Sequence, residues 1–241
     1  MAQLYISPVA YQSHMVIVHP DKLGQSLILR MPEFITTADG SRRGHPANIV
    51  WEELQARTAL QYRWDEADHV KRQWSLDLSG QAEAGDDELS FQVTMHNIGD
   101  QSLDRGAHLF CLQAGAHQDF QDYDGERTFV RLADRWASVN EMVGGVFEEH
   151  RMTGFQSQRD GVIGNIMAKA SSGSEWVLGI AINQDGGVSS NHQIWPSCIH
   201  ANPKWSMLSP DEQEVVRGKV YFFQGGLDEL YDRYRRDFAE G

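Results

Sequence analysis

Leu89-Ser90-Phe91-Gln92-Val93-Thr94-Met95-His96-Asn97 is the stretch that decides the fold class of this chain. Its apolar side chains alternate with polar ones, so Leu89, Phe91, Val93 and Met95 fall on one face of an extended strand. Residues that favour turns flank it on both sides, Gly85-Asp86-Asp87 before it and Asn97-Ile98-Gly99-Asp100 after it. The pattern predicts a strand with one face in the core.

Strand patterns of the same kind recur along the chain. They are rich in β-branched and aromatic residues and are separated by Gly, Asp and Asn turns. The predicted strands cover residues 12–18, 27–31, 62–78, 107–112, 128–132, 162–168, 176–183 and 214–223. Strands this frequent predict an all-β fold, a twisted antiparallel β-sandwich.

Two segments have helical patterns. Residues 49–57 suggest a short exposed helix. Residues 227–238 carry a clearer signal, because apolar side chains recur there at spacings of three and four: Leu227, Leu230, Tyr231, Tyr234 and Phe238. Acidic residues begin this segment and arginines end it, as the helix dipole favours. We expect a single domain over residues 1–241, with the helix 227–238 packed on the sandwich.

Composition and charge narrow the classes of partner. The chain has 21 basic and 34 acidic residues and a formal charge of −13, which argues against nucleic acid or an anionic membrane surface as a partner. The first residues show no signal-peptide pattern, and no apolar run reaches membrane-spanning length, so a cytoplasmic location is expected. The two cysteines, Cys111 and Cys198, are then expected to be reduced thiols, although one disulfide in an exported protein is the alternative.

Two polar-aromatic segments contain most of the candidate site residues. The first is His117-Gln118-Asp119-Phe120-Gln121-Asp122-Tyr123-Asp124-Gly125-Glu126-Arg127. If it is extended, His117 and Asp119 share a face, and such a pair can orient an imidazole for proton transfer. Arg127 then positions a ligand oxygen through its planar fork. The alternative is a polar loop in which carboxylates cap turns and Arg127 ties down the backbone.

The second segment is Asn191-His192-Gln193-Ile194-Trp195-Pro196-Ser197-Cys198-Ile199-His200. On a strand Cys198 and His200 share a face, and His200 is a candidate for proton transfer. His192 and Trp195 are candidates for lining a ligand cleft, with Trp195 stacking on the apolar face of a sugar. The alternative for the tryptophan is a core residue.

A metal site is the other interpretation of the second segment. His192, Cys198 and His200 offer nitrogen and sulfur donors, to which His117 or Asp119 could add a fourth. The spacing matches no standard zinc signature. No cofactor is therefore firmly predicted, and a divalent metal stays open as an alternative.

Three stretches carry a resemblance to a known class of protein. They are residues 91–99, the segment Asp119-Phe120 through Glu126-Arg127-Thr128-Phe129-Val130-Arg131, and Leu208-Ser209-Pro210-Asp211-Glu212 through Arg217-Gly218-Lys219-Val220-Tyr221-Phe222. Together they resemble bacterial β-sandwich proteins of the galactose-mutarotase-like supersandwich class. The resemblance implies a concave sheet with a sugar-sized cleft floored by His, Asp, Glu and Arg, but it assigns no catalytic residue.

These observations predict a carbohydrate-active enzyme that performs acid–base chemistry on a small saccharide or sugar derivative, as an isomerase or a lyase. The reaction would be epimerisation, elimination or ring opening, with His117, Asp119 and His200 as catalytic groups and Arg127, His192 and Trp195 as substrate contacts. Two alternatives remain, a non-catalytic carbohydrate-binding or accessory module and a structural subunit of a larger assembly. A homo-oligomer is also open.

Overall fold

The computed structural model describes residues 3–22, 25–37, 47–64, 75–104, 106–114, 117–144, 161–192 and 197–239. Seventeen strands in these residues form two antiparallel sheets, so the predicted all-β sandwich is confirmed. The strands run in chain order as β1 Tyr5–Pro8, β2 Tyr11–Gln12, β3 His14–Val18, β4 Ser26–Thr37, β5 Ala47–Gln55, β6 Ala59–Trp64, β7 Leu76–Ala84, β8 Glu88–Asn97, β9 Gly106–Gln113, β10 Thr128–Arg131, β11 Trp136–Ser138, β12 Ile166–Ala170, β13 Trp176–Ile182, β14 Val188–His192, β15 Ser197–Ala201, β16 Lys204–Trp205 and β17 Gln213–Gln224.

The two sheets differ in size. The seven-stranded sheet has the order β1-β3-β4-β9-β15-β14, with β16 also paired to β9. The ten-stranded sheet has the order β11-β10-β12-β13-β17-β8-β7-β6-β5-β2. The hydrophobic core lies between them and draws side chains from both.

Strand β8 shows how the sequence builds this core. Leu89, Phe91, Val93 and Met95 are all buried, at most 3% exposed, as their alternation predicts. Phe91 meets Phe110 of β9 edge to face across the sandwich, with ring centroids 5.3 Å apart. Burying one apolar face of each sheet against the other supplies most of the driving force for folding.

The C-terminal helix, α2, spans Leu227–Tyr234 and continues as a π-helical turn over Arg235–Ala239. Leu230 and Tyr234 are buried in a second apolar cluster, on the outer face of the ten-stranded sheet. The predicted C-terminal helix is therefore confirmed, and its buried side chains contact the ten-stranded sheet. A shorter helix, α1, covers Val139–Met142 and is capped by the Ser138 side chain.

The helix predicted over 49–57 is wrong, because these residues form strand β5 and the turn that follows it. The turn closes a hairpin with β6: the Thr58 amide donates to the Gln55 carbonyl at 3.1 Å, and Arg57 has a positive φ of 60°. Trp51 packs on Tyr62 of β6, with ring centroids 5.0 Å apart. Pairing with a neighbouring strand has overridden the local preference.

Two predicted strands have different bounds. The single strand predicted over 62–78 is divided between β6, which ends at Trp64, and β7, which begins at Leu76, while residues 65–74 lie outside the described residues. The strand predicted from residue 162 begins at Ile166, because Gly164 turns the chain at a φ of 72°. In the described part of the chain, no helix has the length and apolar character needed to cross a membrane.

Candidate functional site

His117 is a core residue in the structure. Its ring packs edge to face on Phe120 and Phe222, with centroid distances of 4.8 and 5.6 Å, and neither ring nitrogen has a hydrogen-bond partner among the described residues. Burial lowers the pKa of His117 to about 4. The backbone at Gln118–Phe120 is a 3₁₀ turn, so the extended His117–Asp119 pair is not formed.

Asp119 and Arg127 hold the first polar segment in place. The Asp119 carboxylate pairs with Lys22 at 2.8 Å, and this contact lowers the pKa of Asp119. The Arg127 guanidinium donates to the carbonyls of Asp119 at 3.0 Å, Ala170 at 3.3 Å and Gln121. These contacts correspond to the alternative in which Arg127 ties down the backbone.

His192 faces the interior of the sandwich, where it joins a buried polar cluster. Its Nδ1–H donates to the Asp122 carbonyl at 2.8 Å, and its Nε2 accepts from the Ser190 hydroxyl at 2.8 Å. Lys169 in the same region donates to Ser197 Oγ at 2.8 Å. The cluster links β12 of one sheet to β15 of the other.

The charges of this interior cluster balance one another. Burial lowers the pKa of Lys169 to about 8, and the nearby Asp122 carboxylate counteracts part of that shift. Burial alone would raise the pKa of Asp122, but the Lys169 ammonium and a hydrogen bond from Thr128 hold it below its usual range. Burial and the charge of Lys169 both lower the pKa of His192.

A second polar cluster lies on the opposite, outer face of the seven-stranded sheet. Cys198 and His200 share this face, as the strand pattern predicts, and Cys198 Sγ lies 3.1 Å from His200 Nε2. Cys111 of β9 is the direct cross-strand partner of His200. Both cysteines are free thiols, and all three residues are buried. The hydrogen bond from Cys111 lowers the pKa of Cys198 well below its usual value, while burial raises that of Cys111.

A bulge in β4 brings a charged pair to the same face. Arg30 is the cross-strand partner of Cys111, and the pairing with β9 then shifts, so that residues 31–33 oppose a single residue. The extra residues put the Glu33 carboxylate back on the Arg30 side, where the two form an ion pair, and Arg30 also donates to Gln113 Oε1 at 3.2 Å. Bulges of this kind re-aim side chains and are frequent beside active sites.

Hydrogen bonds with the buried residues Ser13 and Tyr62 stabilise the bulge. The Ser13 hydroxyl donates to the Pro32 carbonyl at 2.8 Å, and the Met31 amide donates to the Ser13 carbonyl at 2.9 Å. The phenol of Tyr62, in the other sheet, donates to the Met31 carbonyl. The backbone that carries the Arg30–Glu33 pair is thus held by Ser13, between β2 and β3, and by Tyr62 of the ten-stranded sheet.

The structure does not bring the predicted site residues together. His117 and His192 are directed into the sandwich, and Asp119 and Arg127 hold a loop in place. Of the predicted residues, only Cys198 and His200 lie in the outer cluster. We call this cluster the outer polar site, and it comprises Arg30, Glu33, Cys111, Gln113, Ser189, Asn191, Cys198, His200 and Asn202. Trp195 lies outside the described residues. Trp205 is buried and donates to the Asp104 carbonyl at 2.9 Å, so it is a core residue.

Sequence reasoning missed Arg30, Glu33, Cys111 and Gln113. One signal was present, because Leu27, Leu29 and Met31 alternate and therefore direct Arg30 to the outer face. Nothing local indicated that Glu33, an odd number of positions from Arg30, shares that face. The bulge that places it there depends on contacts with Ser13 and Tyr62, which are distant in sequence.

No protein-family model matches the sequence, and no curated protein matches it. Solved structures do match over nearly the whole chain. A protein from Synechocystis sp. PCC 6803 has a TM-score of 0.59 at 8% identity, over 93% of this chain and 97% of that one. A galactose mutarotase-like protein from Clostridium acetobutylicum has a TM-score of 0.53 at 7% identity, over 93% and 99%.

An α-N-acetylgalactosaminidase from Bifidobacterium bifidum also matches, with a TM-score of 0.57 at 10% identity, over 98% of this chain and 39% of that one. A galactose mutarotase-like protein from Lactobacillus casei has a TM-score of 0.53 at 10% identity, over 91% and 100%. At such identities the likeness concerns the fold alone. This chain therefore has the galactose-mutarotase-like supersandwich fold that its sequence resembles.

Proposed function

We propose that this protein is a carbohydrate-active enzyme that performs proton-transfer chemistry, epimerisation or ring opening, on a small saccharide at the outer polar site. The observation that carries the proposal is the β4 bulge, which puts a guanidinium and a carboxylate beside Gln113, on the same sheet face as the His200 imidazole. Similar folds in galactose mutarotase-like proteins support a sugar as the substrate. No contact among the described residues favours elimination over isomerisation.

Each group at the site has a chemical role in this proposal. Glu33 is the proton acceptor, because it supplies the carboxylate of this site, and the ion pair with Arg30 holds it in place. Arg30 and Gln113 also supply donors for sugar hydroxyls. His200 is the second group on this face able to carry a proton.

The roles first predicted for His117, Asp119, Arg127 and His192 stay predictions. Their contacts support structural functions, since each side chain packs on, pairs with or hydrogen-bonds to neighbouring parts of the fold. His117→Ala is therefore expected to act on stability rather than on turnover.

The experiment is a panel of aldoses and aldose derivatives, with anomeric exchange and epimerisation followed by NMR. Glu33→Gln should reduce kcat/KM by about 10²- to 10⁴-fold, the usual contribution of a positioned acid or base. His96→Gln is the matched control, because His96 pairs with the exposed Asp211, away from the outer polar site. Saccharide binding without turnover would instead make the protein a binding module, and no response to any saccharide would overturn the proposal.

A further inference from the structure

The outer polar site contains three soft or borderline metal donors in one compact group. One donor atom from each of Cys111, Cys198 and His200 lies within 4.8 Å of the other two. Ligands of a tetrahedral zinc ion, bonded at about 2.0–2.3 Å, lie about 3.3–3.8 Å apart. Small side-chain adjustments would therefore bring the three atoms around one ion.

The backbone explains why these donors meet. Cys198 and His200 are two residues apart on β15, so they share a face, and Cys111 is directly opposite His200 on β9. Paired side chains of adjacent strands have Cβ atoms about 4.5–5.5 Å apart. Two hydrogen-bonded strands hold the group, which gives it a rigid frame of the kind that a metal site needs.

The imidazole of His200 is also oriented by a neighbour. Its Nδ1 lies 3.1 Å from Ser189 Oγ, and that hydroxyl accepts a hydrogen bond from the Asn202 amide at 3.0 Å. A histidine that donates its Nδ1–H to a polar neighbour presents Nε2 as a lone pair, which is the arrangement found around most metal-bound imidazoles. Nε2 is the atom that faces Cys198.

We propose that Cys111, Cys198 and His200 bind one Zn²⁺ ion. Two thiolates and a neutral imidazole balance the charge of a divalent cation, which matters because the three residues are only 0%, 1% and 4% exposed. Three protein ligands leave a fourth position for water or for an oxygen of a bound molecule. In the zinc-bound protein His200 is a ligand, and proton transfer falls to Glu33.

This donor set differs from the one that sequence spacing suggested. His192 belonged to that set, but it lies on the other face of the sheet, and both of its ring nitrogens are engaged by Asp122 and Ser190. Cys111 takes its place, although it lies 87 positions before Cys198 in the chain. The inference goes beyond the saccharide chemistry and does not depend on it.

The test is metal binding by the reduced, metal-stripped full chain without saccharide. Zinc affinity is measured by competition with a chromophoric chelator, and Co²⁺ is used as a probe whose thiolate charge-transfer absorption reports bound sulfur. We expect one zinc per chain and a cobalt–thiolate band. Cys111→Ser and Cys198→Ser should each weaken zinc binding by more than about 100-fold, and Ser189→Ala by about 10- to 100-fold, as for other outer-shell contacts.

His192→Gln is the control that distinguishes the two donor sets, and it should leave zinc affinity unchanged.

If a cysteine variant fails to fold, the unaltered chain still decides the question, because its two cysteines are the only thiols. Zinc should then protect both from alkylation together. Substoichiometric zinc, a cobalt spectrum without a thiolate band, protection of one thiol only, or wild-type affinity in Cys111→Ser would overturn the proposal. Because no saccharide is present, the saccharide proposal stands or fails separately.

Discussion

His108 shows how burial changes the chemistry of one side chain. Its ring stacks on Phe110 at 5.8 Å and leans on Trp205 at 4.8 Å, and neither nitrogen has a hydrogen-bond partner among the described residues. Burial lowers the pKa of His108 to about 3. Since an unfolded histidine takes up a proton near pH 6.5, acid favours the unfolded chain over the interval between these values.

We therefore expect the unfolding free energy to fall as the pH drops from about 6.5 towards 3, with His108 contributing up to about 1.4 kcal/mol per pH unit. His108→Phe keeps the ring packing and removes the titrating group, so its slope should be shallower. At pH 8 the variant should be as stable as the parent or more so, because an unpaired buried polar group is replaced by an apolar one. Urea titrations across this pH range measure both effects, and His96→Gln should keep the His108 slope. An equal dependence of unfolding free energy on pH in the parent and in His108→Phe would contradict the assignment of this acid sensitivity to His108.

Among the elements, helix α2 packs on the ten-stranded sheet through a single stripe of apolar residues. Leu230 is fully buried, and the absence of a side chain at Gly179 lets it approach β13, since a Cβ built there would lie 3.0 Å from Leu230 Cδ1. Leu227, at the start of the helix, is only partly buried. The two leucines of the stripe therefore differ in burial, with Leu230 fully buried and Leu227 partly exposed.

Leu230→Ala should lower the unfolding free energy by about 2–5 kcal/mol, the usual cost of emptying a buried leucine site. Leu227→Ala makes the same chemical change at a more exposed position and should cost clearly less. Chemical denaturation of the two variants gives the comparison. Equal losses would mean that the helix is not anchored through Leu230.

The elements also show which parts of the fold the sequence could predict. Strand β8 and helix α2 were predicted because their apolar periodicity is local and matches the face that each buries. The local pattern of residues 49–57 predicts a helix, but pairing with β6 determines the conformation and makes these residues part of strand β5 and its turn. In the outer polar site, the strand pattern predicts that Cys198 and His200 share a face. It does not predict the position of Glu33, because a bulge held by Ser13 and Tyr62 determines the face on which Glu33 lies.

At the scale of the whole molecule, the two sheets are joined by polar contacts as well as by the apolar core. Lys169 of β12 donates to Ser197 of β15, and Asp122 and His192 complete the buried cluster. Of the polar residues in the first segment, Asp122 joins this interior cluster, while Asp119 and Arg127 hold a loop in place. Their chemistry was readable from the sequence, but the sheet face that each would occupy was not.

Lys169→Met should lower the unfolding free energy by about 3–5 kcal/mol, because it leaves the Asp122 carboxylate buried without its counter-charge. Adding Asp122→Asn to that variant should restore part of the loss, since the uncompensated charge is then removed. Arg135→Met, which breaks the exposed pair with Glu141, is the control and should change stability little. A double variant no more stable than Lys169→Met would argue against charge balance as the cause.

Strand β14 carries Ser189 and Asn191 of the outer polar site and is the last strand in its sheet within the described part of the chain. Among the described residues β15 is the strand paired with it, and strands at the end of a sheet tend to open at a lower free-energy cost than central ones. Such opening gives a route by which a small ion or ligand reaches groups that are otherwise closed to solvent. Amide hydrogen exchange in β14 would then slow when the site is filled, and the rate of strand opening would set an upper limit on how fast the site can load and empty.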